Sequence, residues 1–232
     1  RGRWKAPHTP QRRALACDCA VAGGDAIRAM AAEPARTSDQ HDARGRRPDD
    51  RPVAALVLFS GPAERDDGLP AMLRKHGVHV VEIDVKVGGA EHDLTRPDVR
   101  AAILARVQRG EFQAVFMGTP CESFSVAHRP KLRSRHSPWG FESIPSEWRR
   151  YLRKHNQLAA FTIEVAKAAI QRGVSVVIEN PADRGEEGSV AYWRRYRDHG
   201  SLWRLPQLRE LGLRQRTFSQ CAFRADVQKM TT

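Results

Sequence analysis

The chain has 232 residues, 41% hydrophobic and 28% charged, and its 39 Lys and Arg outweigh 27 Asp and Glu to leave a formal net charge of +12. That size suits one domain with a tail, and the apolar share is too high for a wholly disordered protein. No run approaches the ~18 apolar residues of a membrane-spanning helix, four cysteines do not make a disulfide framework in a chain this long, and no apolar stretch follows the N-terminal charges as a secretory signal would.

The positive excess favours a polyanionic partner and equally suits a protein held in solution by its charge. With neither signal nor anchor read, the expected location is intracellular, and nuclear where the source has a nucleus. The start at Arg1 rather than Met suggests a fragment or a processed product.

Residues 1–52 carry Arg1, Arg3, Lys5, Arg12, Arg13, Arg44, Arg46 and Arg47 among prolines at 7, 10, 34, 48 and 52. Such a stretch buries too little apolar surface to offset its ordering entropy, so a flexible, disordered basic arm is expected. Alanines favour a short helix between Ala14 and Ala32, against which Gly23-Gly24 weighs. Cys17 and Cys19 are too close for a zinc finger and no matching pair follows, so no metal is expected.

From Val53 the pattern changes. The apolar run at residues 53–59 ends in Ser60-Gly61-Pro62 and predicts a strand buried on both faces. Residues 69–76 have helical spacing and stop at Gly77. Residues 78–83 alternate into a second strand ending at Asp84. Pro97 opens a helix whose apolar face is Val99, Ile103, Leu104 and Val107, closed by Gly110. Residues 112–117 are a third strand, followed by Gly118-Thr119-Pro120. Leu152, Leu158, Phe161, Val165 and Ile170 mark a long helix over 148–172 with Gly173 as its stop. Residues 174–178 form a fourth strand running into Glu179-Asn180-Pro181. This alternation predicts an α/β fold over residues 53–232: a Rossmann-like, mostly parallel sheet with helices on both faces. No internal repeat is visible.

Ligands of such sheets bind beyond the carboxyl ends of the strands. Gly61 lets the backbone approach a ligand closely, and Asp84 stands 25 residues beyond Phe59, where an acid can accept ribose hydroxyls. An ordinary βα turn and a solvated acid explain these two features equally well. The third strand end is sharper. Pro120-Cys121-Glu122-Ser123-Phe124-Ser125 sets a cysteine beside a rigid proline, with His128, Arg129, Lys131, Arg133, Arg135 and His136 following. Nearby cations favour a thiolate and hence a nucleophile, whereas a lone cysteine is commonly a small buried hydrophobe. Glu179, after the fourth strand, is either a rim acid kept protonated by burial or a loop acid.

Phe59-Ser60-Gly61, Asp84, Asp93-Leu94, Thr119-Pro120-Cys121 and Glu179-Asn180 occur in the order seen in the S-adenosylmethionine-dependent cytosine-C5 DNA methyltransferases, which residues 53–232 resemble. Pro-Cys-x-Ser-Phe-Ser and Glu-Asn-Pro look closest to divergent members from mobile elements and viruses. Gln220-Cys221-Ala222-Phe223 and Gln228-Lys229 are similar to the tails of those members and to the family's Gln-x-Arg-x-Arg motif. The resemblance implies that Phe59, Ser60, Gly61 and Leu94 line a pocket for S-adenosyl-L-methionine, with Asp84 on its ribose and Asp93 on its adenine amino group. It implies that Cys121, beside Pro120, attacks C6 of cytosine, that Glu179 holds the amino group and protonates N3, and that Asn180 supports the loop. The target base must be flipped out or presented unpaired. Arg129, Lys131, Arg133 and Arg135 would then contact phosphates, with Gln228 and Lys229 also on the nucleic acid, DNA by resemblance. The basic run also reads as a solvated loop.

This chain departs from the family pattern at Ala63, where a second glycine is usual, and at Leu58, where an acid is usual. The target-recognition domain, the final strands and the closing Gly-Asn motif are expected to be missing. Two other functions stay open: a catalytically inactive methyltransferase-like domain that binds nucleic acid, and a methyltransferase for another substrate in which Cys121 is structural.

Overall fold

The computed structural model describes residues 53–62, 66–220 and 230–232. The predicted basic arm, Cys17 and Cys19, the departure at Ala63, and the tail residues Cys221, Ala222, Phe223, Gln228 and Lys229 lie outside the described residues.

Strands β1 (Ala54–Leu58), β2 (His79–Ile83), β3 (Ala114–Met117) and β4 (Ser175–Ile178) form one sheet in the order β2-β1-β3-β4, with every pair parallel. Helix α1 (Leu69–Lys75) joins β1 to β2. The single turn α2 (Val85–Gly88) and then α3 (Pro97–Gln108) join β2 to β3, and α4 (Ser146–Gln171) leads into β4. A further turn, α5 (Pro206–Arg209), precedes the two-residue antiparallel pair β5 (Phe218–Ser219) and β6 (Met230–Thr231). The fold is thus α/β with an all-parallel four-stranded sheet flanked by helices. Among the described residues no helix is long and apolar enough to cross a membrane.

Strand alternation decides which residues meet which helices. Leu56, Leu58, Val115 and Met117 face Val99, Ile103 and Val107 of α3 and Leu158, Phe161 and Val165 of α4 in the main core. Their neighbours Ala55, Val57, Ala114 and Phe116 form a thinner cluster with Val80, and Leu73 of α1 packs on it. Helices therefore cover both faces. The chain steps one way from β1 to β2 and the other way into β3 and β4. Crossovers of a single hand must then put α1 opposite α3 and α4, as found.

The third strand begins later than the run from Phe112 predicts, because Phe112 turns into the core with the Arg106 guanidinium over its ring. Ile170, predicted on the buried stripe of the long helix, is 41% exposed, and Ala169 occupies the buried place instead. At 1.5 Å per residue, α4 is about 39 Å long, far longer than the short strands it covers. Its N-terminal half overhangs the carboxyl edge of the sheet. There a satellite core of Leu132, Ile144 and Leu152, with Phe141, Trp148 and Tyr151 against it, packs the long β3–α4 connection onto the helix.

Phe161 is 1% exposed at the centre of the core, so Phe161→Ala should lower the unfolding free energy by about 3–5 kcal/mol. Ile170→Ala, on the same helix but outside, should stay within about 0.5 kcal/mol. Urea denaturation of the two variants checks both values.

A candidate active-site cleft at the carboxyl edge

The ladder aligns Leu58 with both Ile83 and Met117, and Met117 with Ile178. The next residues, Phe59, Asp84, Gly118 and Glu179, therefore form one row along the carboxyl edge. A cleft of about 440 Å³ opens over this row. Phe59, Gly61, Asp84, Asp93 and Leu94 line one flank, and Pro120, Cys121 and Glu179 line the other. The cleft spans the boundary between β1 and β3, where the strand order reverses and open parallel sheets bind their ligands.

The Phe59 flank is held under strain. Phe59 has φ 60, a left-handed conformation rarely adopted by a bulky residue and worth on the order of 1–3 kcal/mol of strain. Its amide donates to the Ile83 carbonyl at 2.9 Å. Gly61, at φ 81, donates its amide to Asp84 Oδ2 at 2.9 Å, and a Cβ there would project into open space. Asp84 also accepts from the Lys86 amide at 2.8 Å through Oδ1, capping α2. A carboxylate has about four acceptor sites, so both oxygens keep capacity toward the cleft. Asp93 Oδ1 accepts from the Thr95 hydroxyl at 2.7 Å and the Thr95 amide at 2.9 Å. Those bonds, the hydroxyl foremost, hold the Asp93 carboxyl below its ordinary value and keep it ionised. Ser60 is not among the cleft-lining residues, contrary to expectation; its hydroxyl is buried without a hydrogen-bond partner.

The opposite flank is braced from behind. The Thr119 hydroxyl lies 2.9 Å from that of Thr162 on α4. Asn180 Nδ2 donates to the Thr119 carbonyl at 2.7 Å, and the Asn180 backbone pairs with Thr232 in both directions at 3.0 Å. Asn180 is fully buried and does not line the cleft: it ties the Cys121 loop to the Glu179 loop. Cys121 itself is half-buried.

The predicted basic run divides. Arg129 is exposed and donates to the Val126 and His128 carbonyls of its own loop. Lys131 pairs with Asp198 at 2.6 Å, and the Arg135 amide donates to the same carboxylate at 3.1 Å. Arg133 corrects the expectation of an exposed phosphate ligand, because it is 2% exposed. Its guanidinium donates to the Ser123 hydroxyl and the Pro138 carbonyl and sits 3.8 Å over the Phe124 ring. Burial lowers its pKa to about 9. A second cavity of about 380 Å³ lies along this loop, with Arg129, Lys131, Arg195 and Arg197 in its wall against the single carboxylate of Asp198.

Beyond Asn180 a buried network fixes the chain. Asp183 accepts from Arg204 Nε at 2.5 Å and from the Gly185 amide at 2.8 Å, with His199 Nδ1 3.3 Å away. His199 Nε2–H donates to the Phe124 carbonyl at 2.7 Å, and Trp203 Nε1 donates to the Pro181 carbonyl at 3.0 Å. The network thereby joins both site loops.

Sequence reasoning missed Tyr151, Lys154 and His155. Lys154 and His155 line the cleft from α4, and Tyr151 packs at a tilt against His155 with ring centroids 4.4 Å apart. A signal existed: His155 falls on the apolar stripe between Leu152 and Leu158. Among the described residues no group of three or more His, Cys, Asp or Glu is placed to hold a metal ion. Comparison of the chain with protein-family models, curated proteins and solved structures finds no match in any of the three.

Burial alone would raise the Asp183 pKa, but the facing His199, the Gly185 amide and the Arg204 charge outweigh it and hold the group below its ordinary 3.8. A depressed carboxyl stabilises the fold above the unfolded value and loses that contribution as pH falls through the folded one. Asp183→Asn should therefore destabilise the protein at pH 7 by about 3–5 kcal/mol, with the gap to wild type closing below about pH 4. Urea melts over that range check the sign.

Proposed function

We propose that this chain carries a Rossmann-like methyltransferase domain that transfers a methyl group from S-adenosyl-L-methionine to C5 of cytosine in DNA. One observation carries the reading: a nucleophile-bearing loop and a carboxylic acid reach a single cleft with the acidic and aromatic groups that suit a nucleoside. Other βα folds place ligands at this edge too, but they have no need of a thiol and a glutamic acid together on its wall.

The residues fit the cofactor. Phe59 and Leu94 offer apolar surface for adenine, Asp93 an ionised acceptor for its amino group, and Asp84 acceptors for ribose hydroxyls. The open space at Gly61 is what a ligand close to the backbone requires. When bound, the sulfonium supplies an electrophilic methyl group. Cys121 adds its sulfur to C6 of a flipped cytosine, and Glu179 hydrogen-bonds the exocyclic amine and gives N3 a proton. These two acts make C5 nucleophilic. Asn180 fixes the distance between the two loops through the Thr119 carbonyl. The second cavity and its cationic wall suit the phosphates flanking the target base.

An oligonucleotide carrying 5-fluorocytosine, incubated with the protein and S-adenosyl-L-methionine, should form a covalent adduct that survives denaturing electrophoresis. Cys121→Ser should form none, and Glu179→Gln should slow adduct formation at least about 100-fold. A wild-type protein that binds DNA but forms no adduct would leave a nucleic-acid-binding domain without chemistry. Thermal melting with excess S-adenosyl-L-methionine should raise Tm in wild type by mass action, and Asp93→Ala should remove most of that rise.

A further inference from the structure

The cleft holds a buried histidine that the proposed chemistry has not used. His155 is 6% exposed, lines the cleft, and its Nδ1 has no hydrogen-bond partner. An orphaned buried ring nitrogen loses hydration without compensation, so its presence asks for a proton donor arriving in the cleft or already there.

The nearest candidate follows from the chain itself. The Glu122 carboxylate lies 3.8 Å from His155 Nδ1. The Pro120 carbonyl lies beside the same ring and favours its protonated form. Residue 122 thus reaches the imidazole, residues 120, 121 and 122 all line the cleft with His155, and consecutive Cα atoms are only about 3.8 Å apart. Cys121, between them, also lines the cleft. Tyr151, tilted at 46° against the His155 ring with centroids 4.4 Å apart, closes the far side of the imidazole.

We propose that His155 is a catalytic residue, the base that takes the thiol proton of Cys121 as the sulfur attacks. This deepens the methyltransferase reading and rests on it for the identity of the substrate. The S–H bond breaks, its proton passes to His155 Nδ1, and the sulfur electron pair forms the bond to C6 while Glu179 gives N3 its proton. After methyl transfer the C6–S bond breaks and the thiolate takes its proton back from the imidazolium. Glu179 recovers the N3 proton, and the proton lost from C5 goes to solvent, one for each methyl group transferred.

The surroundings suit the role. Burial lowers the His155 pKa, so the ring is neutral and able to accept at neutral pH. Glu122 opposes that shift, while Arg133 from the facing loop and Lys154 from the same helix add to it. Glu179 and Asp93 face the cleft from the strand side. Glu122, beside Nδ1, is placed to stabilise the imidazolium once it forms.

Alkylation of Cys121 by iodoacetamide, followed by mass spectrometry of its peptide, tests the pairing without cofactor or nucleic acid. In wild type the rate should rise through an inflection below pH 6.5 and level off. His155→Gln should lose that inflection and react about tenfold more slowly at pH 7, the two proteins converging above pH 9.5. Superimposable profiles overturn the proposal. Should His155→Gln fail to fold, NMR titration of the wild-type imidazole before and after Cys121 alkylation decides. A midpoint that moves by half a pH unit or more supports the pair, and an unmoved midpoint overturns it. If the inflection is present but the fluorocytosine adduct is not, the Cys121–His155 pair stands and the methyltransferase reading falls.

Discussion

The alignment of four parallel strand ends is the constraint on which everything else in this molecule rests. Leu58, Ile83, Met117 and Ile178 share one level of the ladder, so the residue after each arrives at the same edge. A one-residue slip of any strand would exchange its two faces. In β3 it would trade Val115 and Met117 for Ala114 and Phe116 against α4, and would move Cys121 along the edge relative to Glu179. The same burial that stabilises the sheet therefore sets the geometry of the cleft. The thin cover on the α1 face makes this asymmetric: the register is held chiefly by the residues facing α3 and α4.

Register alone brings Cys121 and Glu179 to the same edge but does not fix their loops. Backbone after a strand end has lost its ladder partners, and here each such loop borrows new ones. Asn180 supplies the Thr119 carbonyl, Thr232 supplies the Asn180 backbone, and His199 supplies the Phe124 carbonyl. Arg133 performs the same service at greater electrostatic cost. Its folded pKa of about 9 lies well below the ordinary guanidinium range, so the charged form is disfavoured by folding and stability rises as pH climbs above about 9. At neutral pH the fold carries this cation on a hydroxyl, a carbonyl and a ring, two residues' reach from the Cys121 turn. A positive charge there favours any anion that forms nearby, a thiolate included.

Much of this was legible in the sequence because the information was periodic. Apolar runs ending in Gly or Pro located the four parallel strands within two residues, and Val99, Ile103 and Val107 marked the buried side of α3. Strand-end chemistry was legible for the same reason: once the strands are placed, Phe59, Asp84, Cys121 and Glu179 must lie near one edge. Legibility stopped where position depends on contacts distant in sequence. Arg133 reads as one more cation in an exposed run, and only the packing of Leu132 against Ile144 and Leu152 turns it inward. Ser60 fails similarly, because alternation cannot say which way a side chain points after the strand has ended.

His155 shows the converse. A titratable residue on the apolar stripe of a helix has two explanations: a satisfied core histidine, or one whose unpaired nitrogen serves a site. Sequence spacing cannot separate them, since both predict the same stripe. The length of α4 separates them. Residues that cover the sheet are enclosed on every side, whereas those on the overhang meet only the loops of the carboxyl edge. A histidine placed on that overhang, bracketed by residues 120 and 122, is buried by the site itself rather than by the core. The long helix thus has two roles: Phe161, Val165 and Ala169 close the sheet, and Lys154 and His155 close the cleft.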